Sequence, residues 1–161
     1  MADFTALEDW AGDLLRKLQP SQVRRLQLDI ARGLRKSNAG RMRAQTDPDG
    51  NRWEARKAPG QALRSKREQL RQKAKKRQPM FAKMRQVRHL KARAQGDAAV
   101  VEIAGRAQRI ARVHHFGESD KVSPRGASYK YPARELLGIS STDLIALRQL
   151  LIQRCSLKKL M

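Results

Sequence analysis

Only one cysteine, Cys155, stands in the 161-residue chain, which excludes an internal disulfide and any cysteine-rich zinc site and fits a reducing compartment. Aromatic residues make up 4% of the sequence, so a core must rest on Leu, Ile, Val, Ala and Met. Histidine is scarce too: His89, His114 and His115 are the whole set, too few to supply the converging bases and ligands an enzyme needs. Neighbouring strand side chains point to opposite faces, so the adjacent pair cannot readily grip one ion. The plainer reading buries one histidine on a hydrogen bond and leaves the other at a surface or interface. No run approaches the roughly 18 apolar residues of a membrane span. The opening MADFTALEDW is acidic and amphipathic, where a signal peptide would be basic and then continuously apolar. The expected workplace is therefore the cytoplasm, or a particle assembled there.

The carboxylates and glycines offer no catalytic pattern either. Asp47 and Asp49 flank Pro48, where their ordinary role is to bond the local backbone, and a calcium loop would need more oxygen ligands at alternating positions. Gly117, Gly126 and Gly138 make no phosphate-binding spacing, and Ser119, Ser123 and Ser128 have no nucleophile elbow around them. Cys155 sits near Leu151 and Ile152 and reads as a small hydrophobe. No catalytic, cofactor-binding or metal-binding residue is expected, and no cofactor.

What the chain has in excess is positive charge. Lys and Arg number 36 against 15 Asp and Glu, for a formal net charge of +21 and a field that reaches roughly 8–10 Å at physiological salt. Between Arg52 and Arg93 stand 16 Lys and Arg and two acids, Glu54 and Glu68, so a quarter of the chain carries two thirds of its net charge. Within this stretch, residues from Ala55 to Gln78 offer only Leu63 and Leu70 as large apolar groups. They cannot offset an ordering entropy of roughly 1–2 kcal/mol per residue. A mobile basic loop at about 55–78 is expected inside a single domain spanning 1–161. Its candidates for contact with a polyanion or an acidic partner are Arg64, Lys66, Arg67, Arg71, Lys73, Lys75, Lys76 and Arg77; the competing reading is a solvated charge run. The loop has no aromatics to stack on bases and the chain no zinc-finger spacing, so any nucleic-acid contact would be non-specific.

Periodicity supplies the expected elements. Phe4, Leu7, Ala11, Leu14, Leu15 and Leu18 recur at three- and four-residue steps from a cap at Asp3, which predicts a helix ending at Pro20. Ser21 can cap a second helix through Val23, Leu26, Ile30 and Leu34 toward Ala44, forming an antiparallel pair with the first. Thr46 to Asn51 carries Asp-Pro and Asp-Gly, a turn, which Trp53 would anchor. Met80, Phe81, Met84, Val87 and Leu90 return the chain to the core as a helical or extended face. Val100 to Ile103 and Arg109 to Val113 are β-branched-rich around Gly105 and predict an antiparallel hairpin. Tyr129 to Tyr131 adds an edge strand ended by Pro132. Ser140 and Asp143 predict a box-like cap on a last helix. The fold class is α+β: an N-terminal helix pair, a small antiparallel sheet of hairpin plus edge strand, and a C-terminal helix.

Several of these segments together resemble one family. The turn Asp47-Pro48-Asp49-Gly50 followed by Trp53, the Met80-Phe81-Ala82-Lys83 segment, Ile110 through Gly117, and Tyr131-Pro132-Ala133-Arg134-Glu135-Leu136-Leu137-Gly138 are similar in kind and order to the phage virion morphogenesis family, the tail completion proteins of contractile-tailed temperate phages. The resemblance covers nearly the whole chain and contains no catalytic motif. It implies a non-enzymatic structural protein of the virion tail and neck, made in the host cytoplasm, that completes the head-proximal end of the tail and enables head-tail joining. The implied partners are the tail terminator, tail tube and head connector, with a homo-oligomeric ring, a hexamer among its candidate stoichiometries, and no membrane. Trp53, Phe81, Phe116, Gly117, Pro132, Arg134 and Gly138 are the expected architectural and interface residues, the hairpin and the Pro132 to Gly138 segment being the expected subunit contacts. Arg134 is the candidate for an inter-subunit salt bridge, against the alternative that it pairs with Glu135 or a helix end. A protein of another class, binding nucleic acid non-specifically through Arg64 to Arg77, would show binding that weakens steeply with salt and vanishes with the loop.

Overall fold

Among the described residues the elements run in the order α1 (Pro20–Ala44), β1 (Leu90–Gln95), β2 (Ala98–Ile103), α2 (Ala107–Phe116), β3 (Ser119–Lys121), β4 (Ser128–Lys130) and α3 (Ser141–Ser156). The computed structural model describes residues 19–56, 79–121 and 126–156, together with Asp9 and Gly12. The class is α+β, with three helices and two antiparallel two-stranded sheets among the described residues. A pair of N-terminal helices is not evident: the expected helix from Asp3 to Leu18 lies outside the described residues except at Asp9 and Gly12, both helical. The basic loop lies outside them from residue 57 to residue 78.

α1 begins two residues earlier than the expected cap at Ser21 implies. Pro20 occupies the first helical position, where its missing N–H costs nothing, and Gln19 is the cap, its N–H donating to Gln22 Oε1 at 3.1 Å and its carbonyl accepting from Val23 at 3.0 Å. Ser21 lies inside the first turn. Gln27, Ala31, Asn38 and Met42 form the buried stripe, at steps of four, seven and four, which is the helical period.

The hairpin lies elsewhere than expected. β2 contains Val100 to Ile103, but its partner is β1, reached through Gly96-Asp97, and Ala104 N–H continues the pairing to His89 O at 2.8 Å. Arg109 to Val113, expected as the second strand, is the middle of α2. Its β-branched residues suggested a strand, yet Ala107 and Ala111 bury one face at a four-residue step while Ile110 is 49% exposed. Gly117 therefore ends a helix and not a strand: at φ 69° it is a left-handed C-cap, and Glu118 N–H donates to Val113 O at 2.9 Å, closing the last turn. The edge strand exists as β4, but it pairs with β3 in a sheet of its own, with Asp120 opposite Tyr129.

The chain divides into two compact units. One comprises residues 1–35, 92–101 and 139–161. In it Leu26, Ala31 and Leu151 are buried, Gln27 Nε2 donates to Gly96 O at 3.3 Å, and Arg154 pairs with Asp29. α3 opens with the expected reciprocal cap: Ser140 N–H donates to Asp143 Oδ2 at 2.9 Å, and Asp143 N–H donates back to Ser140 Oγ at 3.2 Å. The other unit comprises residues 36–91 and 102–138, with Met42, Leu90 and Leu136 its most deeply buried large side chains. The geometry of the candidate site belongs to this second unit.

Candidate functional site

The turn after α1 is built as its sequence requires. Gly50 N–H donates to Asp47 O at 3.2 Å, Asn51 N–H donates to Asp47 Oδ1 at 2.8 Å, and Trp53 N–H returns to Gln45 O at 2.9 Å. Partial desolvation pushes the Asp47 carboxyl up, but the bonds from Asn51 and from the Asp49 and Gly50 backbone outweigh it and leave its pKa below the ordinary value. Gln45 then clasps the next segment, with Met80 N–H donating to its Oε1 at 2.8 Å and its Nε2 donating to Met80 O at 3.2 Å. Nothing in the sequence singled out Gln45. Its signal, a polar residue at a helix end with both amide functions to satisfy, is too common to act on.

Past this clasp, Phe81 is held at φ 61°, a conformation that costs a bulky side chain of order 1–3 kcal/mol and persists only where the surroundings impose it. It lies edge-on between two rings, Trp53 at 5.7 Å and His114 at 4.9 Å between centroids. His114 continues to Tyr131 at 4.7 Å, and Tyr131 to Tyr129 at 5.0 Å. A file of five rings, from a chain with few aromatics, thus joins the turn, the 80–89 segment, α2 and β4.

The segment after β4 has no regular structure, and the end of α2 positions it. Tyr131 N–H donates to Glu118 O at 3.1 Å, Arg134 N–H to His114 O at 2.6 Å and Leu136 N–H to His115 Nδ1 at 3.1 Å. The adjacent histidines act as two separate fasteners. Gly138 N–H donates to Asn38 Oδ1 at 2.9 Å and its carbonyl accepts from Arg41 Nη2 at 2.6 Å. A Cβ on Gly138 would stand 2.3 Å from Pro48 Cγ, so the Asp-Pro turn and the Pro-Ala-Arg segment meet at a point where only glycine fits. A Cβ on Gly117 would come within 3.0 Å of Ala133 N, against the same segment.

Arg134 is 4% exposed. Its Nε donates to Glu54 O at 3.0 Å, Nη2 to Ala55 O at 3.5 Å, and Nη1 faces His114 Nδ1 at 3.3 Å. Burial pulls the guanidinium below its usual pKa, and the Glu54 charge opposes that shift. His114 is pushed below its ordinary value first by burial and then by the Arg134 charge, so the neutral ring accepts at Nδ1. Arg134, with Glu54, Ala55, Arg56, Met80, Phe81, His114, Tyr129, Tyr131 and Pro132, lines a cleft of about 550 Å³.

Of the residues expected to matter, Trp53, Phe81, Pro132 and Arg134 gather at or beside this cleft, with Gly117 and Gly138 closing the segment that supplies two of them. Phe116 stands apart, 67% exposed and edge-on to His115 at 4.6 Å. Arg64, Lys66, Arg67, Arg71, Lys73, Lys75, Lys76 and Arg77 lie outside the described residues. Among the described residues no group of three or more His, Cys, Asp or Glu side chains could hold a metal ion, and no helix is long and apolar enough to cross a membrane.

Comparison with known proteins gives these joints a family. The phage virion morphogenesis family matches residues 2–156. The chain belongs to that family. It is similar to tail completion protein S of Escherichia phage P2, with 35% identity over 153 residues that cover 94% of this chain and 97% of the relative. No solved structure matches it significantly. A member of this family is a structural morphogenesis protein with a role in tail completion, not an enzyme.

Proposed function

We propose that the protein acts in the neck of the virion, where it completes the head-proximal end of the tail as a homo-oligomeric ring and so allows the head to join. Its partners in this reading are the tail terminator, the tail tube and the head connector, met in the host cytoplasm during assembly. The observation that carries the proposal is a similarity to a tail completion protein that runs the length of both chains. The structure supports it with a set of joints: Trp53, Phe81, Pro132, Arg134 and Gly138 serve as architecture that fixes the surfaces around them. The basic residues from Arg64 to Arg77 would contact an acidic neighbour in the particle. Gold-labelled antibody on purified particles tests the placement. Label at the head-proximal end of the tail is expected; label on the baseplate, on the fibres or nowhere on the particle would overturn it.

The net charge of +21 favours a second reading, contact between the basic stretch and DNA passing through the neck. Affinity for duplex DNA that falls steeply with salt, and is lost with residues 57–78, would support it.

A further inference from the structure

The guanidinium of Arg134 is buried without a carboxylate bonded to it among the described residues. Its three described contacts go to two main-chain oxygens and a neutral imidazole. A guanidinium has five N–H bonds in a fixed fork, so two remain. Buried charges are normally paired, and the edge of this one lines a cleft whose other walls include Phe81, Tyr129, Tyr131 and Pro132 as well as the charged Glu54 and Arg56. Phe81 is held there at φ 61°, and such strain marks ligand clamps more often than plain cores. The cleft is thus shaped for an apolar segment that carries a carboxylate.

The chain itself contains one segment of that chemistry. Residues 1–15 hold Asp3, Glu8, Asp9 and Asp13, with Phe4, Leu7 and Trp10 between them and no Lys or Arg, in a molecule whose net charge is +21. Asp9 is exposed. Several of the other acids are already engaged: Asp29, Glu118 and Asp120 in ion pairs, Asp47 in its turn and Asp143 in the α3 cap. A ring requires two different surfaces on each copy that fit one another head to tail.

We propose that the cleft around Arg134 is the receiving half of the contact between neighbouring copies of this chain, and that its occupant is the acidic N-terminal segment, residues 1–15, of the next copy. The inference rests on the ring proposed above and names its two faces. One carboxylate of the segment takes the two remaining N–H bonds of Arg134, and its apolar side chains cover Phe81 and the tyrosines.

Two full-length variants test this by sedimentation velocity, singly and mixed. The first neutralises the segment (Asp3→Asn, Glu8→Gln, Asp9→Asn and Asp13→Asn); the second disables the cleft (Arg134→Lys, with Tyr129→Glu as an independent version should the first fold poorly by circular dichroism). Each alone is expected to associate roughly thirtyfold or more weakly than the parent. Mixed, they restore one intact pair of faces and form one-to-one dimers that grow no further. Neutralised protein that assembles like the parent would overturn the inference while leaving the ring standing. A mixture that stays monomeric would overturn it too, because the segment would then occupy the cleft of its own chain or none. A parent that is monomeric at every concentration would remove the ring, and this inference with it.

Discussion

Residues 131–140 and the helix that follows them differ in a way that secondary structure conceals. The first segment contains no helix or strand, yet almost every second residue is fixed by a directional contact: Arg134 on main-chain oxygens and His114, Leu136 on His115, Gly138 on Asn38 and beneath Pro48. α3 is regular throughout its 16 residues. Its buried anchors are Asp143 in the cap and Leu151, and Ile145 and Ile152 stand 58% and 47% exposed. Regular backbone is not the same as specified packing. The irregular segment is positioned by bonds from distant parts of the chain, whereas α3 is held at its cap, at Leu151 and by the pairing of Arg154 with Asp29.

Substitutions that separate these two kinds of anchoring differ in size. The largest effect is expected at Gly138→Ala, where a methyl would stand 2.3 Å from Pro48 Cγ; overpacking of this kind costs about 2–3 kcal/mol. Urea unfolding should show the loss, and Pro48→Ala in the same chain should recover part of it, because the pair is coupled. Gly117→Ala comes next. A non-glycine residue at φ 69° costs about 1–2 kcal/mol, and the approach of Ala133 adds to it, so a fall in Tm is expected. On the α3 side, Ser140→Ala removes an N-cap that is reciprocated by Asp143, which costs about 1 kcal/mol and should show as earlier fraying in amide exchange.

The mildest change needs no substitution. His114 titrates below its ordinary 6.5 in the folded chain, so the unfolded chain binds its proton first as pH falls. Stability held above pH 6.5 is lost as the pH descends through the folded pKa, because a protonated ring faces the Arg134 cation and can no longer accept from it. His114→Gln should flatten that part of the pH-stability profile while leaving the contribution of the other groups in place.

How much of this was legible in the sequence follows from how local each cause is. The turn at 46–51 and the cap of α3 were readable because their donors and acceptors lie within a few residues. α2 was misread as a strand because Ile110 and Val113 outweighed the four-residue step from Ala107 to Ala111 and a glycine placed to cap a helix. β1 was missed for the opposite reason. Leu90–Gln95 has no β-branched residue, and its strand depends on the Gly-Asp turn and on pairing with β2, a hairpin signal that was present in the sequence. At the site, Trp53, Phe81, Pro132, Arg134 and Gly138 were chosen as architecture without a geometry. What makes them one place is the end of α2, where His114 and His115 face different partners, and the long-range bonds from Asn38 and Gln45. No short-range pattern encodes those meetings.

The central claim is that this protein finishes the tail so that a head can attach, and electron microscopy of particles made without it tests that most directly. The account predicts full heads beside separate tails that fail to join, with joined particles restored when the purified protein is added. Normally joined particles in its absence would contradict it.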